Sequence, residues 1–143
     1  MQNATNTTNT SSSFPFIGRL MMAAIFLISG LGKIAAPAMT IGYIGAMGLP
    51  FPTLGFLLAV VVEVGGGVLL VLGFQTRIVA LVLAVFSVVT GMVFHHAIGD
   101  QNQLFNLLKN IAMAGGLLQI MTFGPGAFSL DARKAPKIVP SAA

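Results

Sequence analysis

The sequence contains no cysteine. That excludes disulfides, thiolate-bound metals, iron–sulfur clusters and Cys-x-x-Cys redox chemistry from this chain. It is also poor in charge. Seven basic and three acidic residues are all that 143 positions hold, 7% against about 25% in an ordinary soluble domain. So few charges cannot cover the surface of a water-soluble globule of this size. A soluble enzyme is therefore excluded. There is no Gly-x-x-x-x-Gly-Lys-Ser/Thr phosphate loop. The apolar runs lack the strict alternation of barrel strands. What the chain has is apolar mass: 56% hydrophobic residues and a mean hydropathy of +0.95. Lipid is the solvent such a composition calls for. The isoelectric point is about 10.2, yet the basic residues are scattered along the chain. They read as loop charges that orient a membrane protein, and no nucleic-acid partner is expected.

Residues 1–13 form a polar, uncharged tail expected to be disordered. It carries Asn-x-Ser/Thr sequons at Asn3, Asn6 and Asn9, relevant only if the tail faces a glycosylating lumen. Four apolar stretches follow, at about 14–34, 53–74, 78–94 and 105–123. The second is 22 residues long with one charge, Glu63. At 1.5 Å per residue it reaches roughly 33 Å, enough to cross a hydrocarbon core. The connection 35–52 contains Pro37, Pro50 and Pro52 and reads as interfacial, with a short amphipathic turn near Tyr43 to Met47. Residues 124–143 read as a helix stop and a solvated tail. The expected fold is all-α: a transmembrane four-helix bundle. Four spans place both termini on one side, together with Arg19, Arg77, Arg133, Lys134 and Lys137, while Lys33 and Lys109 fall on the other. The positive-inside rule then makes both termini, and the 124–143 tail, cytoplasmic.

Glu63 is the sharpest single feature. It lies near the middle of its span, where an ionisable group costs about 2.5–3.5 kcal/mol on insertion scales. Two readings stay open: a ligand or proton site, and a carboxylate that merely cements helices. Side chains lean toward the N-terminus of their helix. In the expected topology Lys33 and Glu63 therefore converge, and Lys109 reaches the same level. For Lys33 the favoured reading is snorkelling to the headgroups. For Lys109 it is pairing with Glu63, because Asn106, Asn110 and Met113 make a polar stripe beside it. His95 and His96 end the third span. His95 is a candidate proton relay or quinone ligand. Adjacent histidines on one helix diverge, so no metal site is expected. The plain reading of the pair is interfacial. Gly30 and Gly32, Gly65 to Gly67, and Gly115 with Gly116 offer faces for close helix approach and for a homodimer.

Several short pieces, weak singly, form a pattern in order and spacing. They are Gly18-Arg-Leu20, Phe26-Leu-Ile-Ser-Gly-Leu-Gly-Lys33, Glu63-Val-Gly-Gly-Gly67 and Leu72-Gly-Phe-Gln-Thr-Arg77. Phe94-His95, Leu108-Lys-Asn-Ile111, Gly115-Gly-Leu-Leu118 and Gly124-Pro-Gly-Ala-Phe-Ser-Leu-Asp131 complete it. In these the chain resembles the DoxX family of small membrane proteins over residues 17 to about 131. The resemblance implies a four-helix membrane bundle. It also implies two functional themes: subunits of thiosulfate:quinone oxidoreductase, and membrane anchors of complexes that handle oxidative stress with soluble partners. Without cysteine, the thiol chemistry of vitamin K epoxide reductase bundles is closed to this chain.

The expectation drawn from all this is a multi-pass inner-membrane protein that serves as an accessory or quinone-interacting subunit of a redox complex. Glu63, Lys109, His95 and Lys33 would line its ligand-binding or proton-relay site. Quinone is the cofactor this reading points to, and any enzymatic role would belong to a quinone-linked complex. The rival readings are a small proton-coupled permease and a purely structural anchor.

Overall fold

The computed structural model describes residues 8–134, and all regular structure among them is helical. Helix α1 spans Thr8–Ala35. Its first residues, Thr8 to Ser13, fall within the stretch expected to be a disordered tail. Once an apolar helix exists, each added residue gains a hydrogen bond without a new nucleation cost. The remainder of that tail lies outside the described residues. The chain breaks at Ala36, which leaves the helical region (φ −134°, ψ 63°) because Pro37 follows it.

Helix α2, Pro37–Ala46, is longer than the short turn expected there. Pro37 sits at its first position, where the missing N–H costs nothing. The second span, Pro52–Leu72, is not one uniform α-helix. It comprises α3 (Pro52–Val60), a π turn (Val61–Gly65) and α4 (Gly66–Leu72). Helix α5 covers Thr76–Phe94 and α6 covers Gln101–Phe123. The latter starts earlier than its apolar content suggests, because the Asp100 side chain caps it by accepting from the Gln103 N–H. A short α7, Leu130–Lys134, closes the described chain.

Four of these segments are long and apolar enough to span a membrane. The bundle interior is small and tightly packed: Ala23, Phe26, Leu70, Ala80, Leu83, Ala84, Ala114 and Leu117 form its centre. Large apolar side chains face outward on every span, among them Met21, Leu57, Val85 and Ile111. A water-soluble protein would not tolerate so continuous an apolar exterior. In lipid it is the expected surface, and small interior residues let the helices approach.

The bundle has two distinct ends. At one lie the start of α1, the α4–α5 turn and residues 124–134. At the other lie the end of α1, α2, the end of α5 and the start of α6. The stretch expected to be a solvated tail lies outside the described residues from 135 on; residues 124–134 are described. They fold back onto the first end, where Phe128 meets Phe16 edge to face at 6.3 Å and Ser129 is buried.

Candidate functional site

Glu63 occupies the middle of the π turn. A π turn holds one residue more than an α turn, and such insertions recur at functional positions. Here it carries a buried carboxylate into contact with α1. Gly30 makes the contact feasible: a Cβ there would fall 2.6 Å from Val64 Cγ2 and 3.1 Å from Glu63 Cβ. With the helices this close, Lys33 Nζ donates to both carboxylate oxygens of Glu63, at 3.0 Å to Oε1 and 2.8 Å to Oε2. It donates as well to Ser29 Oγ, one turn earlier on α1, at 2.8 Å. The Ser29 hydroxyl in turn donates to Glu63 Oε1 at 3.3 Å. The three side chains form a closed triad. The Glu63 side chain is 7% exposed and that of Lys33 25%.

Lys33 is therefore the partner of Glu63, in place of the snorkelling expected of it. Lys109 is not: it is exposed on α6 and makes no ion pair among the described residues. The polar stripe beside Lys109 does turn inward, but through its neighbours. Asn110 and Met113 line the interior, and Lys109 lies 100° around the helix from Asn110.

The triad forms part of the wall of a cavity of about 550 Å³. The cavity runs from the level of Glu63 toward α2. Phe26, Phe86 and Phe94 supply much of its apolar lining, and Tyr43 of α2 stacks on Phe94 with ring centroids 5.6 Å apart. Ser87, Thr90, Asn110 and His95 add polar atoms. His95 Nδ1 lies 2.8 Å from Gln103 Oε1, which fixes the ring between α5 and α6. His96 is exposed and bonds the Val93 carbonyl instead. Of the four candidate residues, the structure brings Lys33, Glu63 and His95 to one cavity and leaves Lys109 outside it. Ser29 was the missed member. Its signal is its place four residues before Lys33, on the same helical face.

A second polar cluster escaped the sequence reading entirely. Arg19, read there as an orienting loop charge, is 1% exposed. It donates to the carbonyls of Leu70 (3.0 Å), Val71 (3.5 Å) and Phe128, and its guanidinium lies over the Phe16 ring. Gly73 permits this. It takes a left-handed φ of 63°, and a Cβ there would sit 2.1 Å from an Arg19 nitrogen. Next to it, Asp131 caps α5 from a distance in sequence. It accepts from the Gln75 N–H (2.9 Å), the Thr76 N–H (2.8 Å) and the Thr76 hydroxyl (2.8 Å). These bonds help hold Gln75 at a positive φ of 49°. Burial alone would push the Asp131 carboxyl up. The three hydrogen bonds, with Lys134 nearby, outweigh it and hold the carboxyl below its ordinary range.

The DoxX family model matches residues 14–96. The chain is 38% identical over 117 residues to the inner membrane protein YqjF of Escherichia coli (strain K12), covering 80% of this chain and 87% of YqjF. It is 36% identical over 124 residues to the inner membrane protein YphA of the same organism, covering 82% of this chain and 87% of YphA. No solved structure matches.

Proposed function

The chain belongs to the DoxX family of multi-pass inner-membrane proteins, and from that premise we propose that it is a quinone-interacting accessory subunit of a membrane redox complex. The observation that carries the reading is the cavity. Small-molecule sites run from about 300 to 1,000 Å³, mostly apolar, with a few converging polar groups. A cavity of about 550 Å³ with phenylalanines along its wall and Glu63, Lys33 and His95 contributing polar atoms has that character. With the positive-inside rule placing the Arg19 end in the cytoplasm, the cavity occupies the outer half of the membrane. A soluble or membrane-bound redox protein would then exchange electrons with the bound ring.

The test is to purify the protein into nanodiscs directly from native membranes and quantify co-purified quinone. Wild type should retain close to one quinone per cavity. Ala59→Phe narrows the cavity while leaving all three triad residues unchanged, and should lose it. Quinone at the level of empty nanodiscs in both proteins would overturn the reading.

The closed triad favours a second reading, a structural anchor in which the ion pair only fixes helix register. The paired substitution Glu63→Gln with Lys33→Met separates the two. An anchor would keep both its stability and the activity of the associated complex. A quinone site would keep stability and lose activity.

A further inference from the structure

The cavity's hydrogen-bonding groups are unevenly spent. Resting on the quinone-site reading above, we propose that the cavity selects the reduced ligand, binding the dihydroxy quinol ring in preference to the quinone.

An ammonium has three N–H donors and no acceptor. All three of Lys33 are engaged, by Glu63 Oε1, Glu63 Oε2 and Ser29 Oγ. The lining hydroxyls have also committed their protons. Ser29 donates to Glu63, Thr40 to the Ala36 carbonyl, Ser87 to the Leu83 carbonyl and Thr90 to the Phe86 carbonyl. Against the Gln103 Oε1 acceptor the His95 Nδ1 is the donor, and in the neutral imidazole Nε2 is then left as an acceptor. Glu63 Oε2 accepts from Lys33 alone and has a lone pair to spare. Thr90 keeps its oxygen lone pairs.

The capacity left over is thus mainly acceptor. Only the Tyr43 hydroxyl and one Asn110 N–H remain as uncommitted donors. A quinone carbonyl can only accept, so it must find one of those two or break the triad. A quinol hydroxyl donates, and it meets several acceptors already in place. Leaving a buried acceptor unpaired costs more than making the bond gains. The discrimination therefore works against the quinone as well as for the quinol.

The experiment measures binding to the full chain in nanodiscs of fixed lipid composition, by calorimetry under anaerobic conditions. The probes are decylubiquinol, decylubiquinone and the dimethyl ether of decylubiquinol. The ether keeps the ring at the reduced level but has no proton to donate. The quinol should bind about tenfold more tightly than the quinone, and the ether no better than the quinone. Thr90→Val removes one acceptor and keeps the shape. The neutral pair Glu63→Gln with Lys33→Met replaces a carboxylate by an amide that can donate. Each should narrow the ratio at least threefold. Quinone binding as tightly as quinol would overturn the preference and leave the site intact. So would a preference unchanged in both variants. Binding of none of the three probes would overturn the site itself.

Discussion

The two ends of the bundle both tie down a cation, one fully buried and one partly exposed, and they do so in opposite ways. Arg19 spends its guanidinium on backbone carbonyls from α4 and from the segment before α7. It is fully buried, and the segment before α7 covers it. Lys33 spends its ammonium on a carboxylate and a hydroxyl, and the pair faces an open volume. A guanidinium is a rigid fork suited to tying several carbonyls together, while an ammonium is a compact charge on a flexible stem. The first cluster therefore reads as a clasp. The second retains unused hydrogen-bonding capacity beside empty space, which is what distinguishes a candidate site from a strut.

The clasp is where a single substitution should cost most. Arg19→Met strips the donor from three carbonyls and releases residues 124–134. Loss of about 4 kcal/mol or more is expected, read as failure to survive detergent extraction or as new protease cleavage after Phe123. At the other end, Lys33→Met leaves Glu63 buried without its partner and should cost about 3 kcal/mol in detergent unfolding. Glu63→Gln should cost less, about 1 kcal/mol, because the partly exposed Lys33 can swing toward the headgroups. The double substitution should recover most of the Lys33→Met loss, since no orphan charge remains. Equal losses in both single variants would erase the asymmetry drawn here.

Asp131 tests the clasp by pH. Its carboxyl titrates lower in the folded protein than in the unfolded chain. Its contribution is therefore complete above the unfolded value and is lost as pH falls through the folded one. Below pH about 4 the amides of Gln75 and Thr76 should exchange faster with solvent. Asp131→Asn should abolish that pH dependence and cost about 1 kcal/mol as a weakened helix cap. Smallest of all, Lys109→Met should change stability by no more than about 0.5 kcal/mol and leave quinol binding unaltered. A large effect there would place a second cation in the site.

The spans and Glu63 were legible because they depend on local facts: run length, mean hydropathy and a lone charge at mid-span. Lys33 was legible as a neighbour of Glu63 and misjudged as a partner. What decides it is the close helix approach at Gly30, where a Cβ would fall 2.6 Å from Val64 Cγ2, and a sequence records that only as one glycine among several. The clasp was illegible for a different reason. Arg19 meets residues 51 and 109 positions away, and its place near the start of the first span reads equally as an interfacial charge. The π turn has no local signature either. Its Val-Val-Glu-Val-Gly composition fits an ordinary α-helix.

The cap on α5 also sets a timetable for assembly. Thr76 waits for a residue 55 positions further along the chain. At about 5–20 residues per second, a translating ribosome needs about 3–11 s to make that stretch. For that interval the third span enters the membrane with its first N–H groups unmet by Asp131. The Arg19 guanidinium meanwhile holds only the carbonyls of α4. The terminal segment thus acts as a late latch, and a chain truncated before Asp131 would have its four spans and lack the device that closes them.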